Sequence, residues 1–209
     1  MGLFDQIVLL ITGLIALYLV WRFYQHFSGS EVKPACDVYY MISFLVLLVA
    51  GLLLIFFGYD VLSKPLVVIV AYLIPLGLSL GLVAEFYPRQ EKLYLAVGII
   101  GLLAIAITRL GNVAPGLGTF ALAFFHSIAG LIIFFVPILA VKAGKAPRGF
   151  LWVTVGGVLI GIGGIALAFL KAGAPILPAE FIFTILAPLL LLMTLAYTYG
   201  FVKKMIGAH

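Results

Sequence analysis

Apolar residues run almost unbroken through seven stretches of the chain, 7–23, 38–57, 67–86, 93–110, 117–141, 150–170 and 181–202, while polar and turn-forming residues gather in the short segments between them. Helices of about 20 apolar residues are what hydrocarbon about 30 Å thick demands. The pattern therefore predicts an all-α, polytopic membrane protein with seven transmembrane helices. The connectors carry Gly58 to Pro65, Pro88, the turn from Gly111 to Gly116, Pro147 with Gly149, and Gly173 to Pro178. Such residues break helices or favour turns. No connector is long enough for a tethered soluble enzyme, so residues 1–209 are read as a single transmembrane domain.

Composition agrees with lipid as the solvent: 66% of residues are hydrophobic and 9% are charged. The formal charge of +5 would invite a nucleic-acid reading only if Lys and Arg formed a patch, and here they are scattered singly. They work instead as topology signals. Arg22, Lys33, Arg89, Lys92, Lys142, Lys145, Arg148, Lys203 and Lys204 fall on one side, and Lys64, Arg109 and Lys171 on the other, nine against three. By the positive-inside rule the amino terminus faces out and the carboxyl terminus lies in the cytoplasm, as in a multi-pass protein of the cell membrane. The first apolar run follows no basic leader or small-residue cleavage site and reads as a retained helix. The lone Cys36 allows neither an internal disulfide nor a cysteine-based metal site. Tyr39, Tyr40, Tyr87, Trp152, Tyr197 and Tyr199 are expected as interfacial anchors near the cytoplasmic face.

Spans one to three and five to seven share an orientation, which raises a 3+1+3 repeat. Gly51 and Pro65 match Gly161 and Pro175 at one offset, and Leu73-Ile74-Pro75-Leu76 parallels Leu186-Ala187-Pro188-Leu189. The sugar-transporting SWEET proteins share this topology, but their proline-glutamine signature is absent from the chain and no membership follows.

Polar side chains cost several kcal/mol in hydrocarbon unless paired or wetted, so the few present at depth are the candidate functional groups. Glu180, Thr184, Thr194 and Thr198 share one face of span seven, Thr119 and His126 one face of span five, and Tyr72, Pro75 and Ser79 belong to span three. A polar vestibule in the outer half is expected from these faces. Arg109 and Glu180 would pair at its mouth, with Thr119, Tyr72 and Thr184 lining it and His126 deeper as a titratable contact. Pro75, Pro137 and Pro188 lie mid-span and are candidate hinges. Gly77 with Gly81, and Gly157 with Gly161 and Gly164, form small faces for close helix packing.

Passage of a small solute or ion is the leading role, with an anionic or polar neutral solute favoured because no acid sits at the bilayer centre. A quinone- or haem-associated subunit of a larger respiratory-type complex is the alternative. A non-catalytic sensor or assembly protein, alone, as a homo-oligomer or with other membrane subunits, is a further one. A haem with two protein imidazoles is argued against: His126 lies about 24 Å along its helix from the end near His26, and His209 is terminal. Retinal is argued against by the lack of a mid-span lysine. Catalysis by the chain alone is not indicated, because no nucleophile, base and acid share a depth and no zinc-ligand pair is visible.

Overall fold

The computed structural model describes residues 1–111, 113–171 and 176–207. Pro175 of the repeat comparison and His209 lie outside the described residues. Among those described the chain is helical with no strand: α1 (Leu3–Gly29), α2 (Ala35–Phe57), α3 (Pro65–Ala71), α4 (Leu73–Phe86), α5 (Glu91–Leu110), α6 (Pro115–Lys142), α7 (Leu151–Lys171) and α8 (Ala179–Gly207). The third span is α3 and α4 together, and seven units are long and apolar enough to cross a membrane.

Prolines place most of the helix starts. Pro65 and Pro115 are first residues of α3 and α6, Pro34 precedes α2, and Pro88 and Pro147 open the 3-10 turns that lead into α5 and α7. A proline there loses nothing, since the first N–H groups of a helix have no intrahelical acceptor and its fixed φ suits the first turn. Within a helix the same ring costs a hydrogen bond and collides with the carbonyl four residues earlier. Pro75 does this to Ala71, and the third span breaks at Tyr72, directly after that residue. Pro137 and Pro188 lie inside α6 and α8, which both continue through them. The terminal spans are longer than their apolar runs: α1 reaches Gly29 and α8 reaches Gly207. Lys and Arg extend such helices without cost because their stems stay apolar while their heads reach water.

Neighbouring helices form a closed circuit, α5 to α6, α7, α8, α1, α2, α4 and back to α5, and α4 also packs on α6. That makes the third span the most enclosed, with 50% of its apolar window buried against 17% for the fourth. Close approach of α4 to α2 rests on glycine. A Cβ on Gly77 would lie 2.8 Å from the Tyr39 carbonyl oxygen, and one on Gly81 would collide with the Tyr40 ring. The small face expected on the sixth span is divided: Gly157 meets Ile133 of α6, Gly161 and Gly164 face open space, and Gly156 and Gly163 take the contacts with α8.

Hydrogen bonds stitch the circuit across helices. Ser43 Oγ of α2 donates to the Ile74 carbonyl of α4 at 2.6 Å, Thr154 Oγ1 of α7 to the Phe134 carbonyl of α6 at 2.9 Å, and Ser79 and Tyr94 share a 2.8 Å bond between α4 and α5. Ser43→Ala should cost about 1 kcal/mol, the usual worth of such a bond in a membrane bundle. Thermal unfolding in detergent reads it, and an unchanged midpoint would show that the bond adds nothing.

The outward surface is as apolar as the interior: Leu3, Phe56, Phe57, Leu66 and Leu93 are each at least 66% exposed. Such a surface suits hydrocarbon, and the chain is a multi-pass integral membrane protein. Its core is richest in rings near one end, where Phe23, Tyr40, Phe44, Phe150, Tyr197 and Phe201 are fully buried. Two expected interfacial anchors, Tyr40 and Tyr197, therefore belong to the core, because small partners, Gly81 and Gly156, let their rings turn inward.

Candidate functional site

The end of the bundle that gathers most of the basic residues also holds its ion pairs. α1 ends and α2 begins there, and the short turn between them brings His26 and Asp37 into contact, Nδ1 to Oδ2 at 2.6 Å. Asp37 stands in the first turn of its helix, the end that favours an acid, and His26 in the last turn of its own. Asp37 is buried, whereas His26 is half exposed. A charge-assisted bond of this length is among the stronger kinds. The other Asp37 oxygen faces the Cys36 thiol at 4.0 Å.

Glu85 at the end of α4 uses both carboxylate oxygens. Oε2 accepts from the Tyr40 hydroxyl at 2.9 Å, and Oε1 accepts from the Lys204 ammonium at the end of α8. Lys204 Nζ also stands 5.4–5.9 Å from the ring centroids of Tyr40, Phe86, Phe150 and Phe201. Ring faces are electron-rich, so they stabilise an ammonium that water reaches poorly. Four elements of the circuit, α1, α2, α4 and α8, are tied together by these two pairs and the Tyr40–Glu85 bond.

His26, Asp37, Glu85 and Lys204 border a cavity of about 160 Å3, with Lys145 and Pro147 at its edge. At about 30 Å3 per water, it holds a few waters or one small polar solute. Lys145 is exposed and has no ion-pair partner among the described residues. Beside Lys204 the rings of Tyr40 and Phe201 pack with centroids 4.7 Å apart, and Phe44 lies 6.0 Å from Phe201.

The residues expected to form an outer vestibule are only partly brought together. Tyr72, at the break in the third span, meets His126 of α6 with ring centroids 5.3 Å apart. His126 Nδ1 lies 3.0 Å from the Leu122 carbonyl of its own helix. The expected ion pair between Arg109 and Glu180 does not form: α5 and α8 are not neighbours in the circuit, and Glu180 is exposed. Arg109 Nε is instead enclosed beside α6, 3.7 Å from where a Gly118 Cβ would stand, with no hydrogen-bond partner among the described residues. Thr119 is exposed. Thr184, Thr194 and Thr198 each donate to the carbonyl four residues back at 2.8 Å, which satisfies them within α8. Thr194 is fully buried and Thr184 exposed, so one helical face meets different surroundings along its length.

The cluster at the basic end escaped the sequence reading. Its members lie at residues 26, 37, 85 and 204, and each alone resembles an ordinary charge at a helix end. A signal was available in the two acids, Asp37 and Glu85, placed at span ends where basic residues predominate. Comparison with protein-family models, curated proteins and solved structures found no significant match to this chain.

Proposed function

We propose that this protein carries a small anionic or polar neutral solute across a membrane, and that the cavity among His26, Asp37, Glu85, Lys145 and Lys204 is the solute's binding station on the cytoplasmic side. The observation that carries the reading is the lining itself: the His26–Asp37 and Lys204–Glu85 contacts and an unpaired lysine, Lys145, around one small cavity. Burying Asp37 is costly unless a partner or a polar occupant repays it, and the unpaired Lys145 offers a charge to an anionic or polar solute. The positive-inside rule supports the cytoplasmic placement. Pro75 supplies the moving element in this reading, because it interrupts the most enclosed span beside the Tyr72 and His126 contact.

Uptake into proteoliposomes, measured over a panel of small inorganic anions, carboxylates and neutral amino acids, tests it. Lys145→Gln should lower uptake of the accepted solute about tenfold, the value of one hydrogen bond to a charged group, while Glu180→Gln should leave it intact. Uptake no greater than into empty liposomes, or a Lys145→Gln variant as fast as the parent, would remove the proposal. A Soret band from the purified protein would replace it with the redox alternative.

A further inference from the structure

A second concavity lies on the outer face of α8, between Tyr18 of α1 and Trp152 of α7, with a volume of about 540 Å3. It differs from the charged cavity in chemistry. From Leu192 and Leu195 at the deep end it runs past Tyr199 to Lys203 and Ile206 at the basic end. That is about 21 Å along the helix at about 1.5 Å per residue. One leaflet offers about 15 Å of hydrocarbon before its headgroups begin, so the groove matches a single leaflet in depth. Its polarity also runs as a phospholipid's does, with leucines at the tail end and a cation at the head.

The head end is built for an anion. Lys203 is exposed, its Nζ stands 5.6 Å from the Tyr199 ring centroid, and Tyr199 in turn packs edge-on against Trp152 at 5.6 Å. Arg22 lies one turn above Tyr18 and donates to its hydroxyl at 3.4 Å. Neither cation has an acidic partner among the described residues.

We propose that this groove holds one acyl chain of an anionic phospholipid whose phosphate is seated by Lys203 and Arg22. The site is independent of the solute cavity, since it opens to the lipid side of α8 and shares none of its lining residues with that cavity.

Trp152 is a reporter inside the groove, and Trp21→Phe leaves it the sole tryptophan. The W21F protein is reconstituted into phosphatidylcholine vesicles containing a minor share of chain-brominated lipid, either phosphatidylglycerol or phosphatidylcholine, and Trp152 quenching is compared. Each cation near the membrane surface favours an anionic lipid by about fivefold. Brominated phosphatidylglycerol should therefore quench at a correspondingly lower mole fraction than brominated phosphatidylcholine. Lys203→Gln should remove about fivefold of that preference, and adding Arg22→Gln should abolish it. Equal quenching by the two lipids, a preference unchanged by both substitutions, or a Trp152 that neither lipid reaches because a second copy or another helix covers it, would each overturn the proposal. Circular dichroism and the elution volume in detergent keep a misfolded variant from counting as support.

Discussion

Glu85→Gln should lower the thermal unfolding midpoint of the detergent-solubilised protein. The substitution leaves the Lys204 ammonium among four aromatic rings with no counter-charge, and it takes a charged acceptor from the Tyr40 hydroxyl. Breaking a fully buried pair costs about 3–5 kcal/mol. The side chains of Lys204 and Glu85 are 15% and 23% exposed, and water softens the penalty to about 2 kcal/mol. The rings retain part of the ammonium's stabilisation, which keeps the effect below that of an isolated buried charge. Lys204→Met alone should cost a similar amount, because it strands the carboxylate instead. The double variant should be more stable than the sum of the two losses predicts, since no charge is then left alone. A double-mutant cycle by thermal denaturation decides this; strict additivity would mean that the pair contributes no coupling.

Gly77→Leu prevents assembly of the native bundle. Its Cβ would lie 2.8 Å from the Tyr39 carbonyl oxygen and 3.0 Å from Ser43 Cβ, and the first of these is backbone that no rotamer change can move. α4 would have to withdraw from α2, losing the Ser43 bond to Ile74 and loosening the Tyr40 bond to Glu85. Overpacking of this kind costs about 1–3 kcal/mol before lost bonds are counted. Little or no monodisperse protein in detergent is expected. Gly161→Leu is the matched control, since a Cβ there meets nothing within 4 Å. Equal yields of the two variants would show that contact between α2 and α4 tolerates separation.

Both effects arise where sequence reasoning was uneven. Gly77 and Gly81 were legible as a packing face because their four-residue spacing puts them on one side of a helix, although which helix they meet was not. Glu85 and Lys204 were not legible as a pair at all, since 119 positions separate them and either charge suits a helix end on its own. The opposite error occurred with Arg109 and Glu180. Their similar depth invited a pair, but depth is one coordinate of three, and α5 and α8 stand apart in the circuit. The threonines of α8 show another limit, because periodicity reports the direction of a side chain and not whether a backbone carbonyl already satisfies it.

Spans, their number and the side on which basic residues collect are properties of the linear chain, because the bilayer imposes one length and one polarity on every helix that crosses it. The prolines that start α3 and α6, and the one that breaks the third span at Tyr72, act within a single turn of backbone and are equally local. Neighbour relations are not local. Lipid is as apolar as the helices, so hydrophobicity does not rank one helix contact above another; small faces, ring packing and a few hydrogen bonds choose among them. The His26–Asp37 and Glu85–Lys204 pairs, the cavity they border and the groove along α8 exist only after that choice has been made.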